Sequence, residues 1–300
     1  MKLLLTEPNS ISFVVERILW RTKARRQKMA NQMKEISNWN LARFVLLSWT
    51  IPFLSSFLFF GPNEETGNFE LAIDKNDFKN GMVVLCSLLF SVFITWSITW
   101  RDPASVAKVA TAYSLGNILL DLIILIPMSG MSLSDYMAEI GALYFIIAFS
   151  QVWFGYSLAT SNRPNVNSFV GIILRAPLVS LTSYVAISFF YDDKQTKLLV
   201  SIWYFRTVMV LITNATVGLN LLKALQQVRD LQVLAFPVAV LFVMVTIGVD
   251  FLLINPVFRW STQTYFAERG FRLLSTCALG VIARGVAFQR DAQPQNAHRE

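Results

Sequence analysis

The feature that most constrains this chain of 300 residues is a series of long apolar segments separated by short polar ones. A helix needs about 20 mostly apolar residues to cross a bilayer, because unpaired backbone groups are not tolerated in its hydrocarbon core. We number eight such segments as spans one to eight, and they lie near residues 42–60, 81–100, 109–130, 137–159, 168–190, 198–222, 233–255 and 271–288. The sequence therefore predicts an all-α bundle of about eight transmembrane helices.

Span eight has an alternative interpretation. Its uninterrupted uncharged core, residues 273–283, is short enough for a re-entrant or interfacial helix. That alternative would leave seven spans and would place the C-terminal end on the other side of the membrane.

Composition excludes several other classes of protein. Hydrophobic residues make up 54% of the chain and charged residues only 15%, against about 25% charged residues in a typical soluble domain. A disordered chain, a disulfide-stabilised miniprotein and an ordinary cytosolic enzyme do not have this composition. The net charge of +7 does not indicate a nucleic-acid partner in so apolar a chain, and none is expected.

The distribution of basic residues predicts the orientation. Lys and Arg accumulate in cytoplasmic segments close to spans. With eight spans and a cytoplasmic N-terminus, 17 basic residues fall on the inner side and seven on the outer side, where Arg269 and Arg272 are counted as loop residues. Both termini are therefore expected in the cytoplasm, and a bacterial inner membrane is expected rather than a eukaryotic endomembrane.

The chain is expected to form one membrane body with polar ends. A basic amphipathic arm covers residues 1–41, the transmembrane domain covers 42–288, and a cytoplasmic polar tail covers 289–300. A tandem repeat would divide the transmembrane domain into halves 42–160 and 168–288, each with four spans.

Similar residues at intervals of 125 to 130 positions indicate this repeat. With one inserted residue, Arg101-Asp102, Asp121 and Pro127 of the first half match Arg229-Asp230, Asp250 and Pro256 of the second. Parallel repeats of this kind are known in transporters. The alternative is a chance match, since apolar sequences align easily.

Charged residues inside spans are costly, and each is therefore a candidate functional residue. The charged and polar candidates are Asp121, Arg175, Arg206, Asp250, Asn117 and Asn214. Arg206 lies at a depth that would allow it to pair with Asp121 or Asp250. These residues predict either a polar pathway between spans three, six and seven or a set of interhelical contacts that only fix the packing.

The N-terminal arm contains neither Gly nor Pro over residues 10–38, and its apolar residues recur at helical spacing. A basic amphipathic helix of this kind binds the anionic inner leaflet or a partner protein. The residues predicted to do so are Arg17, Arg21, Lys23, Arg25, Arg26 and Lys28. The alternative is a solvated tail whose charges only set the orientation.

Several kinds of chemistry lack the residues they need. The single histidine is His298, so histidine-ligated metals, haem and Ser-His-Asp catalysis are not expected. No Gly-rich run ending in Gly-Lys-Ser/Thr is present, which argues against a nucleotide-binding P-loop. The sequence therefore predicts no enzyme activity, no metal and no cofactor.

Glycine content separates the remaining functions. Only 13 of 300 residues are Gly, whereas moving transporters often use Gly- or Pro-broken helices around a central site. The spans are accordingly expected to be continuous and rigid. This favours a scaffold or a subunit that docks other membrane proteins through its helices and basic arm. A small-solute or ion transporter is the alternative, and a membrane-embedded lipid enzyme comes third.

Overall fold

The computed structural model describes residues 37–62, 69–161, 169–192, 194 and 197–292. The basic arm, including its six predicted binding residues from Arg17 to Lys28, lies outside these residues. Residues 293–300 of the predicted polar tail also lie outside them.

The first half of the described chain contains six helices and one short hairpin. The helices are α1 (Asn38–Ser56), α2 (Lys75–Ser97), α3 (Pro103–Leu120), α4 (Ile126–Ser129), α5 (Leu133–Tyr136) and α6 (Ala142–Thr160). A 3₁₀ turn, Phe57–Phe59, follows α1, and the antiparallel strands β1 (Phe60–Pro62) and β2 (Phe69–Leu71) connect it to α2.

The second half has no strand pair of this kind among its described residues. Its helices are α7 (Phe169–Ser188), α8 (Ile202–Gln226), α9 (Leu231–Phe258), α10 (Thr262–Tyr265), α11 (Phe271–Ser275) and α12 (Ala278–Ala292). Spans one, two, five, six and seven are therefore α1, α2, α7, α8 and α9. Spans three, four and eight are each built from two or more helical pieces.

The predicted all-α transmembrane bundle is confirmed. Seven helical segments of the described chain are long and apolar enough to cross a membrane: Asn38–Phe59, Asp77–Thr95, Pro103–Ser129, Ala142–Thr160, Tyr204–Gln226, Leu231–Phe258 and Thr262–Asp291. The last of these is span eight, which has 30 residues and is therefore long enough to cross.

Span five is the shorter apolar helix. Its apolar part is Ile173–Ser188, within the 20 residues of α7. At 1.5 Å per residue, α7 reaches about 30 Å, which is close to the thickness of the hydrocarbon core. The description of an integral membrane bundle therefore holds whether seven or eight helices cross.

Local sequence explains where the helices begin. Four of them follow a serine whose hydroxyl accepts a backbone N–H, namely Ser37, Ser132, Ser201 and Ser261. Before α3, Asp102 is the cap and Pro103 occupies the first turn. Hydrogen bonds from the Ser105 hydroxyl and the backbone N–H of Ala104 lower the pKa of Asp102.

The expectation of continuous spans is wrong. π-helical turns interrupt spans three, four and eight at Asp121–Leu125, Met137–Gly141 and Phe266–Gly270. Span eight is broken again between α11 and α12, where the N–H groups of Thr276 and Cys277 bond to carbonyls only three residues back. Two of these turns end on a glycine, Gly141 and Gly270, where a Cβ atom would clash with the side chain of Met137 or Phe266. The low total Gly content gave no sign of these positions.

The two halves pack in the same way. In the first half α3 packs on α1 and α6, and in the second half α9 packs on α7 and α12. Between the halves, α2 packs on α11 and α12, while α6 packs on α8 and α12. This correspondence supports the predicted four-plus-four repeat. The contacts between the halves place the second and fourth spans of each half at the junction.

The last helix extends beyond the predicted tail boundary at residue 289. Gln289 Nε2 donates to the carbonyl of Ile98 at 2.6 Å, near the end of α2. Arg290 Nη2 donates to the carbonyls of Leu158 and Ala159 at 2.7 Å, near the end of α6. These contacts satisfy helix-terminal carbonyls that have no partner in their own helix.

Gly280 provides a test of this packing. A Cβ atom there would lie 2.8 Å from the Phe236 Cα and 3.0 Å from the Ala235 carbonyl oxygen, and backbone atoms cannot easily move aside. We expect Gly280→Ala to separate α12 from α9 and to cost about 1–3 kcal/mol of stability, measured by unfolding in detergent. Gly248→Ala on α9 is the matched control, because nothing lies within 4 Å of its Cβ position. Equal stability of the two variants would contradict the described packing.

Candidate functional site

A polar cavity lies at the junction of the two halves. Its volume is about 180 Å³, and it is bounded by spans two, four, six and eight. The polar side chains around it come from all four spans: Lys79, Asn80, Ser87, Ser150, Gln151, Arg206, Thr207, Asn214, Arg272, Ser275 and Thr276. Each span contributes mainly its N-terminal half, so the cavity extends from one end of the bundle to about its middle.

The wall between spans two and four is fixed by the amide of Gln151. Its Oε1 accepts the hydroxyl of Ser91 at 2.6 Å, and its Nε2 donates to the carbonyl of Ser87 at 3.2 Å. Gln151 is buried, and with both ends of its amide bonded it has a fixed orientation. This side of the cavity is therefore preorganised.

The opposite wall contains an ion pair that was not predicted. Arg206 Nε donates to Glu268 Oε2 at 3.0 Å, joining α8 to the π-turn of span eight. The predicted pairing of Arg206 with Asp121 or Asp250 is wrong. Glu268 lies closer because the π-turn places it beside α8, a position that residue spacing along α8 could not indicate.

Arg272 is the second guanidinium of this wall. It donates through Nη1 to the backbone carbonyl of Glu268 and forms no ion pair within the described residues. Its side chain lies at the cavity, two residues after the π-turn. Two guanidinium groups, of Arg206 and Arg272, therefore both bond to Glu268, Arg206 to its carboxylate and Arg272 to its backbone carbonyl.

The interruptions of span eight occur at the cavity. Ser275 and Thr276, at the break between α11 and α12, line it directly. Asn80 of α2 donates through Nδ2 to the carbonyl of Ala267 at 3.0 Å, which gives a π-turn carbonyl a partner and links the two halves. Irregular backbone at membrane depth is tolerated where it lines such a cavity.

The predicted pathway between spans three, six and seven is only partly in place. Arg206 and Asn214 of span six line the cavity, whereas Asp121, Asp250 and Asn117 belong to separate buried clusters. The cavity is lined by spans two, four, six and eight, whereas the prediction placed the pathway between spans three, six and seven. Arg175 on α7 is not among the lining residues, and its Nε is buried without a hydrogen-bond partner.

Asp250 forms the core of the buried cluster in the second half. It accepts Arg269 Nε at 2.6 Å and the hydroxyl of Tyr265 at 2.9 Å on the same oxygen, Oδ2. The Arg269 guanidinium also donates to Thr213 at 3.2 Å. Both charged side chains are at most 1% exposed, so each supplies the countercharge that the other needs.

Asp121 forms the corresponding cluster in the first half. The indole N–H of Trp49 donates to its Oδ1 at 2.7 Å, and the hydroxyl of Tyr136 donates to its Oδ2 at 2.8 Å. Tyr144 also lies close to this carboxylate. Asp121 is 2% exposed and forms no ion pair within the described residues.

The two clusters repeat at an interval of 129 residues. In both, a tyrosine lies 15 residues after the aspartate, as Tyr136 does for Asp121 and Tyr265 for Asp250. The turns between them also correspond, since Gly130 and Arg259 both have a left-handed backbone, with φ of 64° and 53°. This match is more specific than those used to predict the repeat.

Sequence reasoning missed Glu268, Arg269 and Arg272, because the charges near residue 270 were assigned to an outer loop. All three lie within the 30-residue helical segment of span eight. A signal was present in the sequence, since Tyr136-Met-Ala-Glu-Ile-Gly and Tyr265-Phe-Ala-Glu-Arg-Gly align at the same interval. Counting all of Thr262–Asp291 as a span removes Arg269 and Arg272 from the outer side and Arg284 and Arg290 from the inner side, so the predicted inner excess of ten basic residues is unchanged.

The Asp250–Arg269 pair can be tested by a double-mutant cycle. Asp250→Leu or Arg269→Met alone leaves one buried charge without its partner, and each should cost about 3–5 kcal/mol of stability. The double variant should be less destabilised than either single variant, because no charge remains buried. Unfolding in detergent measures all four proteins. Losses that simply add would show that the two groups do not interact.

The helices described above make this chain an integral membrane protein. Its polar groups are concentrated in one cavity between the halves and one buried aspartate cluster within each half. No family model, no curated protein and no solved structure matches the chain at a significant level.

Proposed function

We propose that the protein carries a small anionic solute across the membrane and binds it in the cavity between its two halves. The observation that carries this proposal is the position of Arg206 and Arg272 beside the break in span eight. Transporters built from parallel repeats bind their substrates near the middle of the membrane, at the interface of the repeats and beside discontinuous helices.

The charges of the cavity favour an anion. Three cationic side chains line it, those of Lys79, Arg206 and Arg272, and no Asp or Glu is among its described lining residues. A positive charge inside a membrane bundle is costly, and a bound anion would offset that cost. Guanidinium groups also bind carboxylate and phosphate oxygens through paired hydrogen bonds.

The size of the cavity favours a small solute. Its volume of about 180 Å³ is below the range of about 300–1,000 Å³ typical of sites for drug-sized ligands. Hydroxyl and amide groups of Ser275, Thr276 and Asn214 add hydrogen-bonding groups around it. A phosphate or a short carboxylate matches both the volume and the chemistry.

The predicted orientation of the chain indicates from which side of the membrane the cavity would receive its solute. With both termini in the cytoplasm, the four lining spans run from the outer to the inner side, and their N-terminal halves lie in the outer half of the membrane. The cavity would then receive its solute from outside. The surplus of Lys and Arg on the inner side supports this orientation.

The scaffold function stays a prediction, as do docked protein subunits and binding of the basic arm to anionic lipids. The argument for a scaffold was the expected continuity of the spans, and the π-turns and the break at residues 276–277 remove that argument.

Anion binding can be tested on the purified protein with inorganic phosphate, acetate and chloride as probes. At least one anion should raise the unfolding temperature. Arg272→Gln removes a charge-assisted hydrogen bond worth about 1.5–3 kcal/mol and should weaken that binding by about 10- to 100-fold. The same protein in liposomes should take up the labelled anion, and the variant should not.

Arg259→Gln is the matched control, because Arg259 is exposed and does not line the cavity. It should bind the anion as the wild type does. Equal weakening in both variants, or stabilisation by small cations instead of anions, would overturn the proposal.

A further inference from the structure

The two aspartate clusters differ in one respect that matters for charge. Asp250 has the guanidinium of Arg269 against it, whereas the residue 129 positions before Arg269 is Ile140. Asp121 therefore keeps the tyrosine of the shared arrangement but not the arginine. A carboxylate that is 2% exposed and lacks a countercharge is costly to hold in its ionised form.

Every described element around Asp121 presents a neutral side chain to it. Trp49 of α1 and Tyr136 of α5 are its hydrogen-bond partners, and Tyr144 of α6 lies close to it. Cys86 of α2 and Tyr113 of α3 also lie close enough to interact with its charge. The described neighbours thus include two kinds of weak acid, thiol and phenol, but no Lys or Arg.

We propose that Asp121 is a proton-binding site inside the membrane. The carboxylate takes up one proton on an oxygen, forming a neutral carboxylic acid, and releases the same proton when it ionises again. No other bond forms or breaks. A bound proton would compensate the charge of Asp121, as the guanidinium of Arg269 compensates that of Asp250.

Hydrogen-bonding groups are in place for both protonation states. The ionised form accepts from Trp49 and Tyr136, as the 2.7 Å and 2.8 Å distances show. The acid form must donate one hydrogen bond, and the Tyr136 oxygen can accept it because a phenol is both donor and acceptor.

Two further polar groups near Asp121 have no partner. Asn117 lies one helical turn before Asp121 on α3, and its Oδ1 is buried without a hydrogen bond. The hydroxyl of Tyr113, another turn back, is also buried without one. Unpaired polar atoms of this kind are costly in a bundle interior.

This proposal has a consequence that rests on the proposed function. If the protein carries an anion, protonation of Asp121 offers a way to couple that movement to a proton gradient. Proton binding itself does not require the transport activity and can be measured without it.

Infrared difference spectra between acidic and alkaline pH provide the test on the purified full-length chain. The wild type should show the carbonyl band of a buried carboxylic acid that disappears at alkaline pH, corresponding to one proton per chain. Asp121→Asn should lose this band. Asp230→Asn, at an exposed position before α9, is the matched control and should keep it.

A second measurement covers the case in which Asp121→Asn does not fold. Because the Trp49 indole donates to Asp121, part of the tryptophan emission of the wild type should change with the same midpoint as the infrared band. Trp49→Phe should remove that part. Spectra that are the same in wild type and Asp121→Asn, or an emission that does not depend on Trp49, would overturn the proposal. A titrating band in a protein that transports no anion would instead overturn only the proposed function.

Discussion

The absence of water from the hydrocarbon core is the constraint on which this structure depends. Polar groups placed there must find partners within the bundle, and the chain meets this requirement in three ways. Asp250 and Arg269 neutralise each other at 2.6 Å, and Asp121 receives hydrogen bonds from neutral donors. Lys79, Arg206 and Arg272 line a cavity between the halves. These three arrangements differ in how easily their charge can change, and they therefore suggest different functions.

The two halves have similar sequences around their buried aspartates but differ at one position, and that difference underlies the proposed proton binding. Both halves place an aspartate before a proline, a left-handed turn, a serine cap and a tyrosine, in that order. The second half adds Arg269, which fixes the charge of its aspartate, while the first half has Ile140 there. The cavity lies between them, where a small relative movement of the halves would alter it most.

The sequence was sufficient to predict the bundle and part of the site. Hydropathy averaged over about 20 residues identifies spans reliably, because burial in hydrocarbon depends on the sum of many side chains. Asp121, Asp250, Arg206 and Asn214 were found because charged or polar residues stand out within such spans. Glu268 and Arg272 were missed for the opposite reason. They lie where charge is dense enough to resemble a loop, although span eight continues through them.

By itself, the sequence determined the membrane location and the helical class and predicted an internal repeat, since these depend on composition and on spacing along the chain. Only the tertiary structure decided which charges are paired, because Arg206 and Glu268 are separated by 62 residues and Trp49 and Asp121 by 72. It also decided where the spans are interrupted, since a carbonyl of the π-turn in span eight bonds to Asn80 on another helix. The difference between the two aspartates depends on the sequence and on the tertiary structure. The sequence has Ile140 in the first half and Arg269 at the matching position of the second half, and the packing places Arg269 against Asp250.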